Sequence, residues 1–423
     1  MQYDRPTDRP TDRPTMGVRY LNNLIGDRCK PTLVTRHLSA YANTVIVVDT
    51  SIYLYKYLGE NALMERMYSM MAQFKMHNIV PIFVFDGNAP QEKRYTLQDR
   101  DSSRKCARMK LLRATENITD ARNKLQMQMT LHLKPSESRR LSEPDRYENE
   151  DPKVDLDAVS ESQACEISSI IDMETALYEL RKQCVRVRGS ELSDVKRLMR
   201  AFDMRYIEAD GESDNMCAQI VKLGIAHACM SDDMDMLLYN CPKVLRNFNI
   251  DRETVIEYDL RQILAVLDVS ICEFREICIL SGTDYNPHNF APSIQHRIYL
   301  NSIFENYYRF RRVVVGRGQE PGAFYEWMKH TNWLFRSIDV DALQRVYEIF
   351  SVELTNAQLE NISNVMQRSA MPVIHLDSSQ ERSSQERDRE NEERAINTTN
   401  RFEIPPRVKR IMAQYNFIYL ENC

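Results

Sequence analysis

Val45-Ile46-Val47-Val48-Asp49 and Pro81-Ile82-Phe83-Val84-Phe85-Asp86-Gly87 are the stretches on which the reading of this chain turns. Each is a short β-branched or aromatic run that stops at a carboxylate. Such runs read as buried strands of a parallel sheet, and a carboxylate just past a parallel strand's C-terminal end lies where open α/β sheets bind ligands. The pattern recurs twice more. Ile225 to Met230 ends at Ser231-Asp232-Asp233-Met234-Asp235, and Cys278-Ile279-Leu280 runs through Ser281-Gly282-Thr283 into Asp284. A single Asp in such a place is usually a loop residue or a helix N-cap. Four runs that end alike instead place several acids in one crevice. Like charges that close push each other's pKa upward, and a bound cation relieves them. Oxygen donors without a His or Cys cluster select a hard ion, Mg²⁺ or Mn²⁺.

Composition excludes several classes. With 423 residues and 43% apolar content, the chain has material for two to three domains with a sizeable core. Its formal charge of -5 does not mark a nucleic-acid binder, but an acidic centre can mask a basic surface elsewhere. Ten Cys residues without a CxxC pair and eight His residues without ligand spacing indicate neither a disulfide framework nor zinc. No apolar stretch approaches a bilayer span, and the N-terminus has no hydrophobic signal core. The expectation is a soluble, intracellular protein.

Two polar tracts punctuate the chain. Asp-Arg-Pro-Thr occurs three times in succession from residue 4 to 15, which reads as a disordered extension upstream of a start at Met16. From about 377 to 400, Ser-Ser-Gln-Glu-Arg repeats in a second low-complexity segment. Between them, Leu63, Met64, Met67, Met70, Met71 and Phe74 follow helical spacing and predict a crossover helix over 61–77. The segment from Pro90 to Pro135 lacks internal Pro and Gly, which predicts one or two long helices. Its first half carries Lys93, Arg94, Arg100, Arg104, Lys105, Arg108, Lys110 and Arg113. Placed directly after Asp86, these cations suit phosphate contact rather than a merely solvated face. Residues 135 to about 163 turn polar and read as a flexible insertion. After it, 192–202 reads as a helix, Arg205 to Ile207 as a short strand, and Glu212-Ser213-Asp214 leads into a helix through Val221.

These motifs, in this order, resemble the flap endonucleases and their XPG relatives. Gly17-Val18-Arg19-Tyr20-Leu21 is similar to the family's N-terminal segment, Val48-Asp49-Thr50-Ser51 to its first metal-site strand and Phe83-Val84-Phe85-Asp86-Gly87 to its second. Glu212-Ser213-Asp214 falls where the family has Glu-Ala-Glu, Asp232-Asp233-Met234-Asp235 where it has Glu-Asp-Met-Asp, and Gly282-Thr283-Asp284-Tyr285 where it has Gly-Ser-Asp-Tyr. The resemblance implies an α/β, PIN-like (resolvase-like) parallel sheet flanked by helices, with a helical arch insertion and a degenerate C-terminal helix-hairpin-helix region. It implies a hydrolase, a structure-specific 5′ endonuclease or exonuclease that cuts DNA phosphodiesters at flaps or branched junctions in replication or repair, with two metal ions. Asp49, Asp86, Glu212, Asp214, Asp233, Asp235 and Asp284 would be the ligands, some through water.

By the same resemblance, Lys93 and Arg100 grip the scissile phosphate at the base of the arch, and Tyr55 stacks on the nucleotide next to the cut, with Tyr53 as the competing choice. Gly17, Arg94, Arg104, Lys105 and Arg108 complete the DNA-contacting set. The implied division is a 1–15 extension, nuclease halves at 16–100 and 186–285 around an arch and insertion at 101–185, a helical DNA-binding region at 286–376, a 377–400 linker and a 401–423 tail. Asp214 stands where the family has Glu, one methylene shorter. No Gly occurs between Gly282 and Gly316, where the family has a Gly-rich hairpin for duplex DNA, so Arg297, Arg309, Arg311 and Arg312 are the alternative grip. The tail carries no recognisable sliding-clamp motif, and the expected state is a monomer near sites of DNA replication, such as the nucleus. Two other readings stand beside this one: a nuclease of the same fold acting on RNA or free 5′ ends, and a catalytically silent nucleic-acid-binding scaffold. Occupancy of all seven acidic positions favours an enzyme.

Overall fold

The computed structural model describes residues 17–132, 161–286, 299–314, 322–367, 404–415 and 417. The N-terminal repeat, most of the polar insertion, the 289–295 stretch, Arg297, the 377–400 tract and most of the tail lie outside the described residues.

Seven strands form one sheet: β1 (Leu33–His37), β2 (Val45–Asp49), β3 (Val80–Phe85), β4 (Arg205–Glu208), β5 (Ala228–Met230), β6 (Lys243–Asn249) and β7 (Thr254–Asp259). Their order is β1-β7-β6-β5-β2-β3-β4. The five strands β4, β3, β2, β5 and β6 run parallel, while β7 and β1 pair antiparallel at one edge, so the sheet is mixed rather than wholly parallel. Helices α1 (Leu21–Arg28), α2 (Thr50–Gly59), α3 (Leu63–Met76), α4 (Arg94–His132), α5 (Glu161–Gln183), α6 (Gly189–Ala201), α7 (Ser213–Lys222), α8 (Asp235–Leu238), α9 (Leu260–Leu267) and α10 (Ile271–Ser281) follow in chain order. The chain divides into two compact units, one of residues 1–57, 61–98 and 187–423, the other of residues 58–60 and 99–186.

β2 and β3 are buried almost throughout, which is why their sequences are near-continuous apolar runs without alternation. β2 and β5 are neighbours although α2, α3, β3 and β4 separate them in sequence, so the strand order reverses at this pair. A crevice opens at such a switch point, outside the strands' carboxyl ends. The methionines of α3 are core: Met64, Met67, Met70 and Met71 are all buried. The predicted helical segment is a single helix, α4, and within the second unit its Arg122 pairs with Glu174 of α5.

Two strand expectations change. The run ending at Met230 contributes only Ala228–Met230, because Ile225 and Ala226 still close the turn after α7 through N–H donation to Ile220 O. Cys278-Ile279-Leu280 is the last turn of α10, not a strand. The helix is started by a capping box, in which Ser270 N donates to Glu273 Oε2 at 2.5 Å and Glu273 N to Ser270 Oγ at 3.3 Å.

The loops after β3 and β4 continue to pair beyond the strands. Gly87 N donates to Gly211 O at 2.7 Å and Asn88 N to Asp210 O at 3.2 Å. A Cβ at Gly87 would stand 2.0 Å from Ala209 O, closer than any real contact. Gly87→Ala is therefore expected to force the two loops apart, lowering unfolding free energy by about 1–3 kcal/mol in a denaturant titration. An unchanged midpoint would show that the loops have slack.

Candidate functional site

Four neighbouring parallel strands deliver acids to one edge of the sheet. Asp49 is the last residue of β2, Asp86 follows β3, Glu212 and Asp214 stand at the start of the helix after β4, and Asp233 and Asp235 follow β5. Adjacent strands are ~4.8 Å apart, so four strand ends span only about 15 Å. Asp284 arrives separately, three residues past α10.

Two serines lock the centre. Ser213 donates from its backbone N to Asp86 Oδ1 at 2.9 Å, and its hydroxyl lies 2.7 Å from Asp86 Oδ1 and 3.1 Å from Asp49 Oδ1. Ser231 Oγ donates to Asp49 Oδ2 at 2.9 Å and accepts from Asp233 N at 3.1 Å. Asp235 N in turn donates to Asp233 Oδ1 at 2.9 Å. On the other flank, Lys93 Nζ pairs with Glu212 Oε1, and Tyr285 OH donates to Glu212 Oε2 while lying 2.6 Å from Tyr239 OH. Lys93 also sits 5.5 Å from the centre of the Tyr285 ring.

The acids act on one another electrostatically. Burial, then the charges of Asp86 and Asp233, push the Asp49 carboxyl up to about 7, against partial relief from the Ser231 and Ser213 hydroxyls. Burial first, then Asp49 and Asp233, raise Asp214. Burial with Asp233 and Asp284 raises Asp235. Every one of the seven carboxylates is linked to another through these couplings. Burial works against the charge on Lys93, but the combined pull of Asp214, Glu212 and Asp284 wins and raises its pKa, so it stays a cation at neutral pH.

This arrangement fits a divalent ion chemically. The donors are all oxygen, five of the seven carboxylates (Asp49, Asp214, Asp233, Asp235 and Asp284) are buried, and Asp235 Oδ1 is buried with no hydrogen-bond partner. Gly17, at φ +76°, packs directly on the acids: a Cβ there would lie 2.5 Å from Asp233 Oδ1 and 2.7 Å from Asp235 Oδ1. Among the described residues, the three ligand atoms gathered within 4.8 Å of one another are those of His37, His77 and Glu253, so the acids form a wider cradle than a single compact tripod.

The raised Asp49 pKa has a consequence for the cation-free chain. Between its ordinary 3.8 and about 7, the folded chain holds a proton that the unfolded chain has released. That contribution is complete below the unfolded pKa and is lost as pH rises through the folded one. In chelator, the melting temperature is expected to fall from about pH 5.5 to about pH 8, a slope that added Mg²⁺ removes. A flat profile in chelator would contradict the repulsion.

The structure separates the two tyrosines left open by the sequence. Tyr53 is fully buried against Tyr57 and Phe248, whereas Tyr55 is 45% exposed, so only Tyr55 offers a face for stacking. Arg94 is exposed in the same unit as the acids, while Arg100, Arg104, Lys105 and Arg108 belong to the second unit. There Asp101 pairs with Arg104 at 3.7 Å and with Lys105 at 3.0 Å, which partly satisfies that basic face within its own helix. Ser213 and Ser231, and beside them Tyr239 and Tyr285, have no role in the sequence reading, although Tyr285 closes one of its motifs. The first two sit inside the acidic motifs and carry no signal of their own until strand register places them between carboxylates.

Sheet, switch point and acidic edge together make a PIN-like fold. Sequence models of the XPG N-terminal domain and the XPG I-region match residues 16–107 and 203–284. The chain is 26% identical over 299 residues to a probable RAD2-like endonuclease of Invertebrate iridescent virus 6, covering 64% of this chain and 67% of that protein. It is 25% identical over 289 residues to flap endonuclease 1 of Glycine max, covering 64% of this chain and 62% of that protein, so it spans less than two thirds of the latter's length. Among solved structures it is similar to the catalytic core of Rad2 in complex with DNA substrate, at 17% identity and TM-score 0.44, covering 94% of this chain and 99% of that one. Over residues 16–107 and 203–284 the chain matches the XPG family. No helix among the described residues is long and apolar enough to cross a membrane.

Proposed function

We propose that this chain is a divalent-metal-dependent, structure-specific 5′ nuclease that hydrolyses DNA phosphodiesters at flaps or branched junctions, in replication or repair. The observation that carries the reading is the single electrostatically coupled cluster of Asp49, Asp86, Glu212, Asp214, Asp233, Asp235 and Asp284 at the sheet's carboxyl edge. These residues would hold two Mg²⁺ ions, or Mn²⁺, some directly and some through water. When bound, such ions supply a polarised phosphoryl group and a nucleophile at neutral pH.

The chain's own residues do the rest. Ser213 and Ser231 fix Asp49 from both sides and Ser213 also holds Asp86, so the cradle is set before substrate arrives. Lys93 is a nearly buried cation at the rim, suited to gripping the phosphate, and Arg100 keeps the same role by its motif position. Tyr55 offers an exposed ring for a nucleotide, an interaction worth about 1–3 kcal/mol that tolerates any base. Arg94, Arg104, Lys105 and Arg108 would add phosphate contacts, and Gly17 lets the N-terminal segment close against the carboxylates.

The test is a Mg²⁺-dependent cleavage assay over 5′-flap DNA, blunt duplex and single-stranded RNA. Preferential cutting at the flap junction is the expected outcome. Equal or better cleavage of RNA or of free 5′ ends would move the assignment to the sibling activity, and junction binding without products would leave only a scaffold.

A further inference from the structure

His37, His77 and Glu253 stand apart in sequence from the acidic motifs but meet in space. His77 Nε2 lies 2.6 Å from Glu253 Oε2, and His37 Nε2 lies 3.6 Å from the same oxygen. The two imidazoles meet edge to face, with centroids 5.3 Å apart. One ligand atom from each residue falls within 4.8 Å of the other two, the only such trio of His, Cys, Asp or Glu among the described residues. We propose that these three residues form a second metal site, for a borderline transition ion such as Zn²⁺, separate from the hard-ion cradle.

The donor set decides the ion. Two imidazole nitrogens and one carboxylate are the three protein ligands of open sites for zinc and its neighbours, with water in the fourth position, and are a poor set for Mg²⁺. Ligand bonds of about 2.0–2.1 Å in a tetrahedron put ligand atoms about 3.3 Å apart. The His37 to Glu253 distance is already close to that, and the His77 to Glu253 distance needs to lengthen by less than an ångström. All three side chains retain access to solvent, at 48%, 16% and 26% exposure, which leaves an entry path and room for a water as fourth ligand.

The backbone is committed to the same place. Glu253 sits at φ +52°, a left-handed conformation that a side chain disfavours, in the turn between β6 and β7. Its carbonyl accepts from Leu38 N at 2.8 Å, which anchors the turn beside the end of β1. His37 Nδ1 lies 2.9 Å from Ser39 Oγ and accepts from Ser39 N at 3.2 Å. Ligation through Nε2 places the proton on Nδ1, so the contact from Ser39 N must give way to donation from Nδ1 to the Ser39 hydroxyl, the outer-shell bond that metal-bound imidazoles ordinarily make. An ion there would tie the ends of β1 and α3 to the β6–β7 turn.

Spectroscopy separates this site from the acids. Full-length chain in saturating Mg²⁺ is titrated with Co²⁺, whose four- and five-coordinate nitrogen-containing sites absorb strongly in the visible while octahedral oxygen sites absorb weakly. One equivalent of the strong band is expected, lost in His37→Ala, His77→Gln and Glu253→Gln, and retained in the Asp233→Asn, Asp235→Asn double variant. Zn²⁺ should raise the melting temperature of the parent chain and abolish its Co²⁺ band. Because Glu253→Gln keeps the side chain's shape, it guards against misreading an unfolded variant. Absence of the band in the parent chain, or its survival in all three single variants, would overturn the site without touching the nuclease assignment.

Discussion

Exchanging Asp233 and Asp235 together for Asn is expected to reduce metal-dependent cleavage to background while raising the melting temperature of the metal-free chain. The two effects have one cause. Asp233 adds to the charge that raises Asp49, Asp214 and Asp235, and Asp235 Oδ1 is buried without a partner, so both carboxylates strain the fold when no cation is present. Asn has the same shape and no charge, and the bond from Asp235 N to residue 233 can be kept by an amide oxygen. Activity should fall by more than the about 10²–10³-fold that a single preorganised electrostatic group is worth. Cleavage by the double variant at parental rates would refute the acidic centre; lost cleavage with a lowered melting temperature would mean that the fold, not the chemistry, had failed.

Lys93→Ala is expected to move the same two quantities differently. The ammonium is almost enclosed, pairs with Glu212, and is held charged by Asp214, Glu212 and Asp284 against its own burial. Its removal leaves Glu212 with only the Tyr285 hydroxyl and increases the uncompensated negative charge, so the metal-free chain should melt at a lower temperature. Turnover on a 5′ flap should drop by about 10²–10³-fold, since the cation would face charge that develops on the phosphoryl oxygens. The loss should appear in kcat rather than KM. Together, the pair of variants distinguishes roles that activity alone would merge: both abolish or cripple cleavage, but metal-free stability rises in one and falls in the other. Equal melting temperatures for both would show that the acids do not repel.

How much of this was readable from the sequence follows from what each signal depends on. β2 and β3 were legible because a central parallel strand is buried on both faces and spells an unbroken apolar run, which here stops at or just before an Asp. The same rule misassigned Cys278 to Leu280, since three apolar residues have no measurable period; the arbiter was the Ser270-x-x-Glu273 capping box, present in the sequence and overlooked. β1, β6 and β7 were not read at all, although Thr254-Val255-Ile256-Glu257-Tyr258 has the β-branched and aromatic content of a strand. Tyr53 and Tyr55 are two residues apart on α2 and so face nearly opposite sides; which one is buried depends on how α2 lies on the sheet, which no local pattern encodes. His37, His77 and Glu253 meet only because the β6–β7 turn reaches the ends of β1 and α3, a matter of tertiary arrangement with no spacing signature.

The central claim, that seven dispersed carboxylates form one cradle for divalent ions, is tested most directly by anomalous diffraction from crystals grown with Mn²⁺. The expected result is two peaks enclosed by Asp49, Asp86, Glu212, Asp214, Asp233, Asp235 and Asp284. Crystals of the folded chain that take up Mn²⁺ elsewhere, or show no density among these residues at saturating Mn²⁺, would contradict it.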